Sequence, residues 1–139
     1  MQIEELPGVE PRRALSLRDV GIRTCRQLLQ AARHPHRLPG LAQASRLSMA
    51  ALRVLVDRAE LSQLQGIGPT NLAHLITAGI PDLSTLAAQE PNALRLRLSR
   101  VTDRPPNLAV VEHWIAQARQ RRTNKPGQED SPAPDSSAG

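Results

Sequence analysis

Leu64-Gln65-Gly66-Ile67-Gly68-Pro69-Thr70-Asn71-Leu72-Ala73-His74-Leu75-Ile76-Thr77-Ala78-Gly79-Ile80-Pro81-Asp82 reads as turns set around one amphipathic helix. Gln65–Gly68 is a tight turn, because glycine permits positive φ and close backbone approach. Pro69 suits the first position of a helix, where its missing N–H costs nothing. Leu72, Leu75 and Ile76 follow the i, i+3, i+4 spacing of a buried stripe. Gly79 stops the helix, and Asp82 is a good N-cap for the next one. Upstream, Leu61 and Leu64 form the apolar edge of a short helix that enters the turn.

The same phrase occurs earlier in the chain. Ile3–Thr24 aligns with Leu61–Asp82 at an offset of 58 residues without gaps. Leu6 matches Leu64, Gly8 matches Gly66 and Pro11 matches Pro69; Leu17, Gly21 and Ile22 match Leu75, Gly79 and Ile80. With one residue inserted, Leu55-Val56-x-x-Ala59 matches Trp114-Ile115-x-x-Ala118. A repeat of this length marks a duplicated structural unit. The expected division is a first half over 1–60, a second half over 61–122 and a tail over 123–139.

Flanking segments complete each copy. Thr24 with Gln27 forms a capping-box pattern. Ser48 caps a long helix with Leu52, Leu55, Val56 and Ala59 facing inward, expected to run on into the second copy near Gln65. Its counterpart starts at Asn107, with Leu108, Val111, Trp114, Ile115 and Ala118 along one side. Between them, Arg33–Gly40 contains two prolines and a glycine and is expected to be irregular. Arg95, Arg97 and Arg100 alternate with leucines, which leaves residues 92–106 open between a short helix and irregular chain. From Thr123 onward Pro, Gly, Ser, Asp and Glu leave little to bury, which reads as disorder.

Composition agrees. Of 139 residues 40% are hydrophobic, yet aromatics are 1%, with a single Trp and no Tyr or Phe. The core must come from Leu, Ala, Val and Ile, and the dominant pair, Leu and Ala, favour helices. The expected fold is all-α: two repeated lobes joined by a shared long helix. Proteins that stack bases on aromatic faces are excluded. One cysteine excludes an internal disulfide and a Cys-based zinc site. No stretch approaches a membrane span, and acidic Met1–Glu5 is unlike a secretory signal, so the expected location is cytoplasmic.

Net charge is +5 and nearly all of the basic residues are Arg. Residues 1–60 carry 10 basic and 6 acidic groups, residues 61–94 none and 2, residues 95–125 8 and 2, and residues 126–139 none and 3. Two positive blocks thus flank a neutral-to-acidic one. Such a balance points to a polyanion partner, although an Arg-rich genome produces the same value.

Leu64-x-Gly66-Ile67-Gly68 followed by a helix, Ala78-Gly79-Ile80 and a capped third helix resembles the helix-hairpin-helix motif. Residues 2–120 also look like a bacterial family of two helix-hairpin-helix-like halves without assigned function, in which the last helix bears W-I-x-x-A, matched by Trp114, Ile115 and Ala118. The resemblance implies a two-lobed helical bundle. It also implies a phosphate site at each hairpin, where glycines bare N–H groups at a helix N-terminus and nearby Arg adds attraction. Two departures stand out. The second hairpin has no Arg or Lys between Arg58 and Arg95, and in the first Glu10 replaces the second glycine. The glycines therefore have two readings: phosphate binding, or a close helix turn alone.

The candidate nucleic-acid-binding residues are Gly8, Gly66, Ile67 and Gly68 at the hairpins and Arg12, Arg13, Arg119, Arg121 and Arg122 in the basic blocks. The last three also suit a helix C-terminus, where the dipole favours cations. Four histidines lack partners at metal-ligand spacing, so no metal or other cofactor is expected. Cys25 follows a helix cap, which lowers a thiol pKa, but its counterpart Leu83 marks it as a small buried apolar residue. No Ser-His-Asp, paired-carboxylate or phosphate-loop pattern appears, so no catalysis and no small-molecule substrate are expected. The expected function is non-catalytic binding, with nucleic acid or an acidic protein surface as partner. A protein–protein scaffold without nucleic-acid binding is the alternative.

Overall fold

Helix starts in this chain are set by prolines and by side-chain caps. The computed structural model describes residues 1–123, with side chains as far as Arg121. The eight α-helices among them are α1 (Pro11–Asp19), α2 (Cys25–Ala32), α3 (Leu38–Ser45), α4 (Met49–Ser62), α5 (Gly68–Thr77), α6 (Leu83–Ala87), α7 (Pro91–Ser99) and α8 (Leu108–Thr123). Short 3-10 turns cover Ile3–Glu5 and Pro35–Arg37. No strand occurs among the described residues; one isolated bridge joins Gln2 to Thr24. The all-α architecture read from composition holds. The expected tail lies outside the described residues, apart from Thr123 at the end of α8.

The caps fall where the sequence places them. Thr24 Oγ1 accepts from Gln27 N at 3.1 Å, Ser48 Oγ from Ala51 N at 3.0 Å, Asp82 Oδ1 from Thr85 N at 2.8 Å, and Asn107 Oδ1 from Val110 N at 3.0 Å. Each satisfies a first-turn N–H that has no partner inside its helix. Glu90 caps α7 by accepting from Ala93 N at 2.7 Å, and that bond holds its carboxyl below the ordinary range.

One expectation needs correction, and one segment left open by the sequence takes the first of its two readings. Residues 33–40 are not irregular: Pro35 opens a 3-10 turn, and Pro39 and Gly40 sit in the first turn of α3. Proline is harmless there because first-turn N–H groups lack acceptors anyway. The Arg–Leu alternation after residue 92 proves helical. Leu94 and Leu98 are buried one turn apart, while Leu96 points to solvent, 57% exposed. Pro69 stands in the first turn of α5 as expected, directly after Gly68 with its left-handed φ of +64°.

The buried side chains form one cluster running through both halves, including Leu17, Leu28, Leu52, Leu61, Leu75, Leu86 and Trp114. α4 packs on α2 and α3, and also on α5 and α6; α8 packs on α6 and α7. The long helix α4 takes in buried Leu61 and ends at Ser62, short of the expected Gln65. Inward-facing Val56 and Leu108 are only half-buried. Among the described residues no helix is long and apolar enough to cross a membrane.

Candidate polyanion-binding surface

The two segments read as hairpins from the sequence are backbone turns around a left-handed glycine, Gly8 at φ +77° and Gly66 at φ +76°. Val9 N donates to Leu6 O and Ile67 N to Leu64 O, both at 3.3 Å. A side chain from a distant helix then engages each turn. Arg58 of α4 donates through Nη1 to Pro7 O. In the second turn, Gln65 N donates to Gln117 Oε1 of α8 at 2.9 Å. Gly66 and Gly68 are exposed and Ile67 is buried. Several hairpin amides are therefore spent on the fold itself.

The first hairpin carries its own negative charge. Glu10 is the N-cap residue of α1, extended and exposed, and its side chain accepts no capping hydrogen bond. A carboxylate at a helix N-terminus is favoured by the dipole and occupies the electrostatic role a phosphate would take.

Two sets stand out among the arginines. One set donates to main-chain carbonyls, three of them at helix C-termini and one, Pro106 O, in the loop before α8. Arg119 Nε reaches Ala87 O at 2.9 Å, Arg121 Nη2 reaches Gln63 O at 2.9 Å, Arg95 Nε reaches Pro106 O at 3.2 Å, and Arg97 Nη2 reaches Ala78 O. Arg121 thereby brings a cation beside the second hairpin that no local sequence supplies. The other set lies between residues 11 and 56, where nine arginines meet one acidic residue, Asp19. Eight of the nine are exposed; Arg13 is half-buried. Arg18 alone of them is paired, its Nη2 at 2.5 and 2.7 Å from the two carboxylate oxygens of Glu4.

Of the residues selected from sequence, Arg12 and Arg13 therefore belong to the solvated set, while Arg119 and Arg121 belong to the clamping set. The side chain of Arg122 lies outside the described residues. Sequence reasoning passed over Arg23, Arg26, Arg33, Arg37, Arg46 and Arg53. The signal that marks them is the shortage of acids across residues 11–56, hidden when the charge is summed over the whole first half.

The remaining candidates have structural surroundings. Among the described residues no group of three His, Cys, Asp or Glu is placed to hold a metal ion. His34 and His36 are exposed, with ring centroids 5.8 Å apart. Cys25 is fully buried, and burial pushes its thiol pKa up, with Ser62 pulling weakly the other way. Desolvation of the thiolate thus outweighs the helix start that would lower it.

A family model described as Domain of unknown function (DUF4332) matches residues 7–121. No curated protein and no solved structure matches the chain.

Proposed function

The chain belongs to the DUF4332 family of domains of unknown function, and from that premise we propose a non-catalytic binding protein of two helix-hairpin-helix lobes, one of which holds nucleic-acid backbone through arginine side chains. Hydrogen bonds that recur 58 residues apart support the lobes. Leu6 N to Ile3 O (3.1 Å) has its counterpart in Leu64 N to Leu61 O (3.2 Å), and Ile22 N to Leu17 O in Ile80 N to Leu75 O, both 2.9 Å. The helix-to-hairpin links also correspond. Pro7 aligns with Gln65, and Arg58 aligns with Gln117 once the single insertion is counted. Proline offers only a carbonyl, so its partner must donate, and arginine does; Gln65 offers an N–H, and its partner accepts.

The observation that carries the binding reading is the arginine set of residues 11–56, nine cations with one anion in the same stretch, eight of them exposed and Arg18 paired outside it to Glu4. Arginines not engaged by carboxylates or carbonyls keep their donors for phosphate oxygens. With one Trp, itself buried, readout of bases by stacking has little to act through, and backbone attraction remains. The glycines serve the turn rather than the ligand.

Fluorescence anisotropy with labelled duplex DNA tests this. At low salt the expected dissociation constant is about micromolar or tighter, with a steep loss of affinity as salt rises. Arg12→Ala with Arg13→Ala is expected to weaken binding on every duplex sequence and lower the salt slope by about one per contact removed. No binding at low salt overturns the proposal. The scaffold reading would then stand, favoured by the neutral second hairpin and a groove of about 480 Å³ where Gly66 faces Val110, His113 and Trp114.

A further inference from the structure

A second feature of the first half is more local than its overall charge. The N-terminal segment lies across the start of α2: Ile3 N donates to Arg23 O and Cys25 N donates to Met1 O, both at 3.0 Å. Beside this strap is a groove of about 590 Å³ lined by Gln2, Arg18, Arg23, Thr24 and Gln27.

The acceptors around the groove are largely taken. Gln27 Oε1 accepts from Arg23 N at 2.7 Å and from Thr24 N at 3.2 Å, and Thr24 Oγ1 accepts from Gln27 N at 3.1 Å. Arg23 O accepts from Ile3 N. Glutamine and threonine are left with donors, the Nε2 hydrogens and the hydroxyl proton. Arg23 adds an exposed guanidinium, and Arg18 adds a second one held by Glu4. A lining of donors with two cations suits an oxyanion.

The second half serves as an internal comparison, on the repeat reading above. Its matching turn forms the same Ile80 N to Leu75 O bond and the same kind of cap, Asp82 to Thr85 N, with Ile76, Pro81 and Thr85 at the positions of Arg18, Arg23 and Gln27. Folding this turn therefore requires neither arginine.

We infer that this groove is a binding site for a phosphoryl group, gripped by Arg18 and Arg23 and capped at rest by the Glu4 carboxylate. Both members of the Glu4–Arg18 pair are over 40% exposed, at 42% and 43%. Exposed pairs are weak, so an incoming phosphate can displace the carboxylate and leave it in water. The groove chemistry fits a phosphate monoester or a diester of nucleic-acid backbone alike.

The test is an NMR titration with inorganic phosphate, ionic strength held constant with chloride, following arginine Nε–Hε and backbone amide signals of the full chain. Saturable shifts are expected at Arg18, Arg23, Thr24 and Gln27. Arg23→Ala is expected to weaken binding about tenfold or more, the effect of a charged hydrogen bond. Glu4→Gln is expected to tighten it about threefold, the scale of an exposed ion pair, and Arg100→Ala, exposed and outside the groove, to leave it unchanged. Competition at the same signals by a thymidine dinucleotide assigns the phosphate to nucleic-acid backbone; its failure to compete assigns a free phosphomonoester. Shifts spread evenly over the exposed arginines, or binding untouched by Arg23→Ala in a folded variant, overturn the inference. Phosphate binding without duplex binding sinks only the proposed function, and duplex binding without a phosphate response sinks only this site.

Discussion

Gly8 and Gly66 share a backbone angle but not a neighbourhood. Alanine at either must adopt the left-handed conformation, at a cost of about 1–2 kcal/mol. At Gly8 the added Cβ also falls on Nη1 of Arg58, whereas at Gly66 it meets nothing within 4 Å. Gly8→Ala is therefore expected to lose the Arg58–Pro7 bond as well, about 1.5–3 kcal/mol beyond Gly66→Ala in urea unfolding. In the Gly8→Ala, Arg58→Ala double variant the costs should fall short of additive, since both remove one contact. Equal costs at the two glycines would mean that Arg58 holds nothing. Cys25 gives a pH prediction at the same scale. Its folded pKa is raised, so its contribution to stability is intact below the unfolded thiol value of about 8.5 and declines above it. Alkaline loss of thermal stability should be smaller in Cys25→Ala, measured relative to each protein at neutral pH. Caps such as Thr24 and Asp82 were legible because donor and acceptor lie three residues apart. The arginine clamps were not: Arg58 and Pro7 are 51 residues apart and Arg119 and Ala87 are 32 apart. No local pattern announces a guanidinium that will meet a helix end.

At the scale of elements, α3 shows where residue preference and position part company. Gly40 has ordinary negative φ, is exposed, and has open space where a Cβ would go. It spends backbone entropy on a helix without using its freedom. Gly40→Ala is expected to stabilise the protein by about 0.5–1 kcal/mol, read from the urea midpoint at unchanged slope. Destabilisation would show that the first turn of α3 needs the glycine. The same element explains why residues 33–40 misled sequence reading: breakers were weighed by type, while their effect depends on distance from the helix start. In α7 the reading stayed open for a different reason. Leu94, Leu96 and Leu98 alternate as a strand would, but burial selects the i, i+4 pair, and the exposed Leu96 is incidental. Helices with strong stripes, such as α5, were legible because Leu72 and Leu75 agree with their caps and turns.

The whole molecule turns on α4. It packs on α2 and α3 within the first half and on α5 and α6 of the second, and its own Leu61 is buried in the shared cluster. A helix placed this way ties the folding of one half of the chain to the other, so residues 1–123 should behave as one cooperative unit. Trp114, 1% exposed in α8, is the only Trp and reports on the second half. Leu28, fully buried in α2, belongs to the first. Leu28→Ala is expected to cost about 2–5 kcal/mol. If α4 couples the halves, urea transitions followed by Trp114 fluorescence and by far-ultraviolet circular dichroism coincide in the parent and move together in Leu28→Ala. If the lobes are independent, helix content falls first and Trp114 keeps its original midpoint. Coupling also bears on binding. The arginine set of residues 11–56 lies on α1, α2 and α4 and on the turns between α1 and α4, while clamping arginines such as Arg97, Arg119 and Arg121 fasten elements of the second half to one another. Arg119→Ala should then lower the unfolding midpoint and leave duplex affinity unchanged at temperatures where the protein is folded. Arg12→Ala with Arg13→Ala should do the reverse, which separates an arginine that holds the fold from one that holds a ligand.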